Sequence, residues 1–252
     1  MRAVLATAFA IAATVIAAGP RLAAGDPTGS RLLTAPTAWL PPAGAATATL
    51  GIDHRGDTLA AASASLGGLA ELEIDEDTDV RACSDCAHPV ALRLGRAAFR
   101  IGARQGAWLA GMPALVLGVR TAFATYEPSV PSPRVSDAYV VASRALGAIW
   151  LHAGADAIAA ETAGQGGTAR LRPLAGLEIH PPMYPHSTLI GDIAWEPELD
   201  AMRAPALRWL VGVGVRYQAF DWAQIELAVR ARQGEELGAS TVLIRVNAIA
   251  RR

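Results

Sequence analysis

The stretch Leu207–Gln218 reads LRWLVGVGVRYQ, and its odd and even positions belong to different kinds of surface. Leu207, Trp209, Val211, Val213, Val215 and Tyr217 are apolar, whereas Arg208, Gly212, Gly214, Arg216 and Gln218 between them are small, cationic or polar. The following segments repeat the pattern. Ile225, Leu227 and Val229 alternate with Gln224, Glu226 and Arg230, and Val242, Ile244 and Val246 alternate with Thr241, Arg245 and Asn247. Alternation sustained over about ten residues is the period of a β-strand and not of a helix. A chain made of such segments folds as a sheet with one greasy face and one polar face.

The same period runs back through the chain. STLIGDIAWEPE sets Leu189, Ile193 and Trp195 opposite Asp192 and Glu196, and ARLRPLAGLEIH sets Leu171 and Leu177 opposite Arg172 and Glu178. AIWLHAGADA and SDAYVVASRAL form a hairpin around Gly147, and PALVLGVRTAFA sets Leu117 and Val119 against Gly118 and Arg120. Together with ATATLGID, TLAAASASL, GLAELEID and PVALRLGRAAFRIG these predict twelve strands. Tight joins at Leu66-Gly67-Gly68, Leu146-Gly147 and Ala219-Phe220-Asp221 interleave with long polar ones such as 76–89, 125–137 and 161–168. The expected fold class is all-β, an antiparallel up-and-down transmembrane β-barrel of about 12 strands, with short turns at one end and long loops at the other.

Composition supports that solvent. The chain is 52% hydrophobic and its mean hydropathy is positive, yet beyond the first residues no apolar run reaches the roughly 18–20 residues of a spanning helix. With 22 basic against 23 acidic residues the charge balance excludes a nucleic-acid binder. A basic start at Arg2, an apolar run to Ala18 and small residues before Asp26 predict a cleaved signal peptide over 1–25. A periplasmic segment is expected over 26–45 and the barrel over 46–252, in the outer membrane of a Gram-negative bacterium. The expected lumen-facing charged and polar residues are Arg120, Arg144, His152, Asp156, Glu178, Asp192, Arg208, Arg216, Glu226, Arg230 and Arg245. The arginines either line an open pore or pair with acids, Glu71 and Glu73 among them, to fill a closed one. Trp150, Trp195, Trp209, Tyr217 and Trp222 lie near strand ends, where an interfacial girdle belongs. A soluble periplasmic barrel with its apolar face inward is the alternative, because alternation by itself does not name the solvent.

The lead-in to the first strand, TGSRLLTAPTAWLPPAGAATATLGID, resembles that of YjbH-like outer-membrane barrels associated with exopolysaccharide export. The matching positions are Gly29, Leu33, Ala35, Pro36, Thr37, Ala38, Pro42 and Gly44. The resemblance implies a short, single-barrel, envelope-associated protein, a small porin-like channel or an export component. Outer-membrane lipid, lipopolysaccharide and the barrel-assembly machinery are its expected partners.

Little points to catalysis. No Gly-x-Ser-x-Gly elbow occurs, and the five histidines are scattered. His152 and Asp156 share a strand face but stand roughly 13 Å apart along it. An outer-membrane hydrolase is therefore the less favoured reading, and neither enzyme activity nor a cofactor is expected. The acidic run Asp75–Asp79 reads as a solvated loop, since Val80 and Cys86 stand where a calcium loop needs glycine and glutamate. Cys83 and Cys86 are expected to form a loop disulfide in an exported protein.

Overall fold

The computed structural model describes residues 31–77, 79–82, 90–125, 133–162, 166–199 and 204–250. The signal peptide expected over 1–25 and the two cysteines, Cys83 and Cys86, lie outside the described residues. Among the described residues fourteen strands follow one another: β1 Ala46–Asp53, β2 Thr58–Leu66, β3 Ala70–Asp77, β4 Arg81–Ala82, β5 Val90–Ala91, β6 Leu94–Ala103, β7 Ala114–Thr125, β8 Arg134–Leu146, β9 Ile149–Thr162, β10 Gly166–Ile179, β11 Ser187–Leu199, β12 Ala206–Phe220, β13 Ala223–Arg232 and β14 Thr241–Ala250. A 3-10 turn, Leu237–Ala239, precedes β14.

Twelve of these strands form the closed barrel. Each long strand pairs antiparallel with its neighbours, β1 meets β14 from Ala46↔Ala250 to Asp53↔Leu243, and β10 meets β11 to complete the ring. Closure leaves no open edge, which is the condition for putting backbone amides in lipid. Gly67, Gly68 and Gly147 take positive φ at the tight turns, a conformation that glycine adopts without a Cβ clash. Leu66-Gly67-Gly68, Gly147 and Asp221-Trp222 lie at the end where the chain enters and leaves the ring. The longer join 104–113 shares that end, and the four-residue join His54–Asp57 is short on the other.

The alternation has turned greasy side out. Leu50, Ile52, Leu72, Ile74, Leu117, Val119, Leu151, Val213, Leu227 and Ile244 are all exposed on the outer wall. Glu71, Arg96, Arg120, Asp156, Glu178, Asp192, Arg216, Glu226 and Arg245 are buried inside. Water would reverse that arrangement; hydrocarbon requires it. A soluble carrier with an apolar interior is overturned on the same ground.

Two segments that are not part of the wall fill the ring. Residues 31–45 run inside the barrel before β1, with Leu32, Leu33, Ala35, Thr37 and Ala38 all buried. The described part of the expected periplasmic segment is thus an internal plug. The second segment is described at residues 79–82 and 90–93; after β3 it reaches β11, six places away in a ring of twelve, where β4 pairs in parallel through Glu198↔Arg81 and Leu199↔Ala82. Val80 and Leu92 of this strap pack with Leu94, Val135, Ala160 and Leu199 of the wall.

Candidate functional site: the plugged lumen

The lumen is the one place where the sequence concentrates polar chemistry, and the register explains how. Inward residues of adjacent strands stand side by side, so a cation on one strand meets an acid on the next. Arg120 Nε lies 2.8 Å from Asp137 Oδ1 across the β7–β8 register, and its Nη2 lies 3.5 Å from Asp156 on β9. Arg96 Nε lies 3.0 Å from Asp75 on β3, and Arg100 donates to Glu71. Glu226 on β13 lies between Arg216 on β12 and Arg245 on β14 and binds both. Arg216 also reaches Glu178 at 3.6 Å. Arg208 meets Glu198 at 3.0 Å near the far rim.

The plug satisfies much of what remains. Asp192 Oδ2 accepts three successive backbone N–H groups, from Leu33 at 3.1 Å, Thr34 at 2.6 Å and Ala35 at 2.7 Å. Arg245 donates to the carbonyls of Leu32 and Leu33, Arg216 to that of Arg31, and Arg100 to those of Thr37 and Trp39. Ala38 N–H donates to Ser143 Oγ at 2.8 Å. Buried polar backbone must find partners, and here wall side chains supply them. Arg31 extends the plug sideways to Glu73 and Asp75. Burial opposes its charge, and those two carboxylates more than reverse that, raising its pKa.

Shape matches charge. A Cβ on Gly176 would meet Leu32 Cδ1 at 1.9 Å, and one on Gly212 would meet Leu33 Cδ1 at 2.6 Å. Each leucine occupies a notch that only a glycine leaves open. Below them Trp39 packs edge-on to Trp150, ring centroids 5.4 Å apart, and Trp150 lies against His180 at 4.1 Å. A cavity of about 60 Å³ persists beside the plug, bordered by Thr47, Thr49, Ser63 and Asn247. That is room for a few waters. At the opposite rim Arg230 holds Asp79 of the strap at 2.7 Å, and Arg232 donates to the Asp79 carbonyl. Burial pushes the Asp79 carboxyl up. Arg230, with Arg232 and Arg81 beyond it, outweighs burial and holds that carboxyl below the usual carboxylate range.

Most of the residues predicted to face inward do so. Arg120, His152, Asp156, Glu178, Asp192, Arg216, Glu226, Arg230 and Arg245 are buried in the lumen, and Arg208 is half-buried on the same face. Arg144 does not: β8 turns its odd residues inward, Val135 through Ser143, so Arg144 points out close to the turn. Trp150 is the second correction, since β9 turns its even residues inward and puts this ring against Trp39 rather than lipid. Trp195, Trp209 and Tyr217 stand on the outer face, and Trp222 stacks on Phe220 in the β12–β13 turn.

Asp75 and Asp79 do not belong to one solvated acidic loop. Asp75 faces inward on β3, and Asp79 anchors the strap. Sequence reasoning passed over Arg31, Arg96, Arg100 and Asp137 as lumen residues. For Arg96 and Arg100 the signal was present in GRAAFR, two arginines four apart and so on one strand face. Ser143 Oγ lies 2.7 Å from His152 Nδ1, and His152 Nε2 lies 3.1 Å from Glu178. The serine is fully buried and accepts from the plug, so this row ties the plug to the wall. Among the described residues no cluster of metal-binding side chains occurs.

An apolar outer wall, a closed ring of twelve antiparallel strands and a charged interior define an integral membrane β-barrel of the outer-membrane class. No family model matches the sequence, and no curated protein matches it. Among solved structures, the KdgM porin in complex with disordered oligogalacturonate aligns at 5% identity, covering 81% of this chain and 98% of that one, with a TM-score of 0.52. The KdgM porin by itself aligns over the same shares at 5% identity with a TM-score of 0.51. The likeness is one of fold.

Proposed function

We propose that the protein is a small outer-membrane channel that its own N-terminal segment holds closed, acting in passage across the envelope rather than in catalysis. The observation that carries this reading is the plug. Nine hydrogen bonds from five wall side chains, Asp192, Ser143, Arg100, Arg216 and Arg245, hold the backbone of residues 31–39 in the lumen. The plug holds by hydrogen bonds, ion pairs and two leucine knobs and does not enter the sheet, so it can leave without breaking the barrel. The acid–base pairs it covers would then line the pore.

The link to exopolysaccharide export belongs to the same proposal. The residues that resemble the YjbH-like lead-in, Leu33, Ala35, Pro36, Thr37 and Ala38, are those of the plug. A carbohydrate as cargo is in keeping with a porin of similar fold that has been seen with oligogalacturonate. Lipopolysaccharide around the barrel and the assembly machinery during insertion are the partners this location brings.

Planar-bilayer conductance tests the reading. The parent should be silent or nearly so, whereas Gly176→Val with Gly212→Val, which fills the two leucine notches, should give steady single-channel steps. Open-porin conductance from the parent, or silence from the double variant folded in the same bilayer, would sink it.

A further inference from the structure

We propose that the seam between β10 and β11 is a binding site for a phosphate-bearing lipid of the outer leaflet, with Arg172 as the group that takes the phosphate. Elsewhere the barrel wall is zipped along most of each strand. At this seam the ladder runs only from Ile179↔Leu189 to Ala175↔Ile193. Continued, the register would bring Pro173 opposite Trp195 and Arg172 opposite Glu196. Pro173 has no N–H to give, and Pro197 two residues on has none either, so the ladder stops where the prolines begin. Above that point β11 takes a different partner, the short parallel β4.

Side chains bridge the open stretch. Trp195 Nε1 donates to the Pro173 carbonyl at 2.9 Å, replacing a backbone bond with an indole. Arg172 lies over the Trp195 ring, Cζ 4.8 Å from its centroid. By strand parity Arg172 belongs to the lumen face of β10 and Trp195 to the outer face of β11, so the guanidinium reaches into the wall itself.

Its electrostatics are unlike those of the other interior arginines. Asp156 is its register partner on β9, yet that carboxylate is taken by Arg120. Among the described residues Arg172 has no carboxylate within ion-pair distance, and its buried Nε has no hydrogen-bond partner. A guanidinium presents a planar fork suited to phosphate, and this one lacks an anion.

Depth selects the source of that anion. Trp195 faces Trp209 across the β11–β12 register, and the pair forms a belt on the loop side of the barrel. Phe220 and Trp222 form the belt on the turn side. Eleven residues of β12 separate Trp209 from Phe220, roughly 37 Å of strand, which tilts down to about the 25 Å apolar band of such barrels. Arg172 therefore lies at headgroup level, with the outward Leu177 further along β10 toward the turn end, where acyl chains would cover it. Assigning that level to the outer leaflet rests on the outer-membrane channel proposed above, with its long-loop end facing out of the cell as in other barrels of this class.

Native mass spectrometry of the full chain in detergent tests the site without depending on orientation. Diphosphorylated lipid A should be retained by the parent, and its dephosphorylated form should be retained about tenfold less, the scale of a lost charge-assisted hydrogen bond. Arg172→Gln should lower retention of the phosphorylated form by a similar factor, with folding checked by migration of the unboiled band. Retention of both lipid A forms by the parent to the same measurable extent overturns the proposal whether or not the variant folds. Undiminished retention by a folded Arg172→Gln overturns it as well. Phosphatidylglycerol, offered beside lipid A, separates the two readings: if it binds in an Arg172-dependent way and lipid A does not, the phosphate site stands and the outward orientation falls.

Discussion

Single residues in this lumen carry more than one partner each, and Glu226 shows what that implies. It neutralises Arg216 and Arg245 together, and both of those arginines also hold plug carbonyls. Removing one member of a buried ion pair leaves an uncompensated charge and costs about 3–5 kcal/mol. Glu226→Gln should therefore lower the temperature at which the folded, fast-migrating band converts to the unfolded one on unboiled gels. A steric case lies on the opposite wall. Tyr139 lies across Gly118, its register partner, and a Cβ there would meet the ring at 2.3 Å. Overpacking of this kind costs about 1–3 kcal/mol. Gly118→Ala should destabilise the barrel, and Gly118→Ala with Tyr139→Leu should recover much of the loss in a chemical-denaturation series.

At the scale of elements, the plug and the strap depend on different forces. The plug is held by several hydrogen bonds and two knobs, so Asp192→Ala, which frees three N–H groups at once, should make residues 31–40 accessible to protease in an otherwise intact barrel. Each buried donor left unmatched costs about 1–3 kcal/mol. The strap is held by its β4 pairing and apolar packing and, at the rim, by the buried ion pair of Asp79 with Arg230. Because the Asp79 carboxyl sits below its unfolded value of 3.8, its contribution is complete above that pH and is lost as pH falls through the lower, folded value. The protection factors of the amides at Val80–Ala82, which remove the intrinsic pH dependence of exchange, should be constant from neutral pH down to about 4 and fall only below it. Arg230→Gln should remove that pH step.

The whole molecule is a barrel whose stability lies in the sheet and whose closure lies in inserted chain. Deleting residues 31–40 should leave heat-modifiable migration and outer-membrane fractionation intact while raising conductance, and loss of the folded band would show that the plug is part of the core. All twelve wall strands were legible in the sequence, because a period of two over ten residues admits no other reading. Most lumen charges followed from parity, as Arg120 on β7 and Arg245 on β14 illustrate. Where parity was misjudged, at Arg144 and Trp150, both residues stood next to the Gly147 turn, where a one-residue slip exchanges the faces. Arg31 and Asp79 were not legible for a different reason. Neither lies in a long strand, and nothing periodic announces a segment that folds back into a barrel.

The sequence by itself determined the strands and their two faces. Alternation places every second side chain on one face, and balanced charges can be buried only in pairs; the fold then turned the apolar face outward, where lipid suits it. Tertiary structure alone decided that the ring is closed inside. Leu32 meets Gly176 across 144 positions of chain and Asp192 meets Thr34 across 158. Contacts of that span arise from barrel curvature bringing distant strands around one axis, and no local pattern records them.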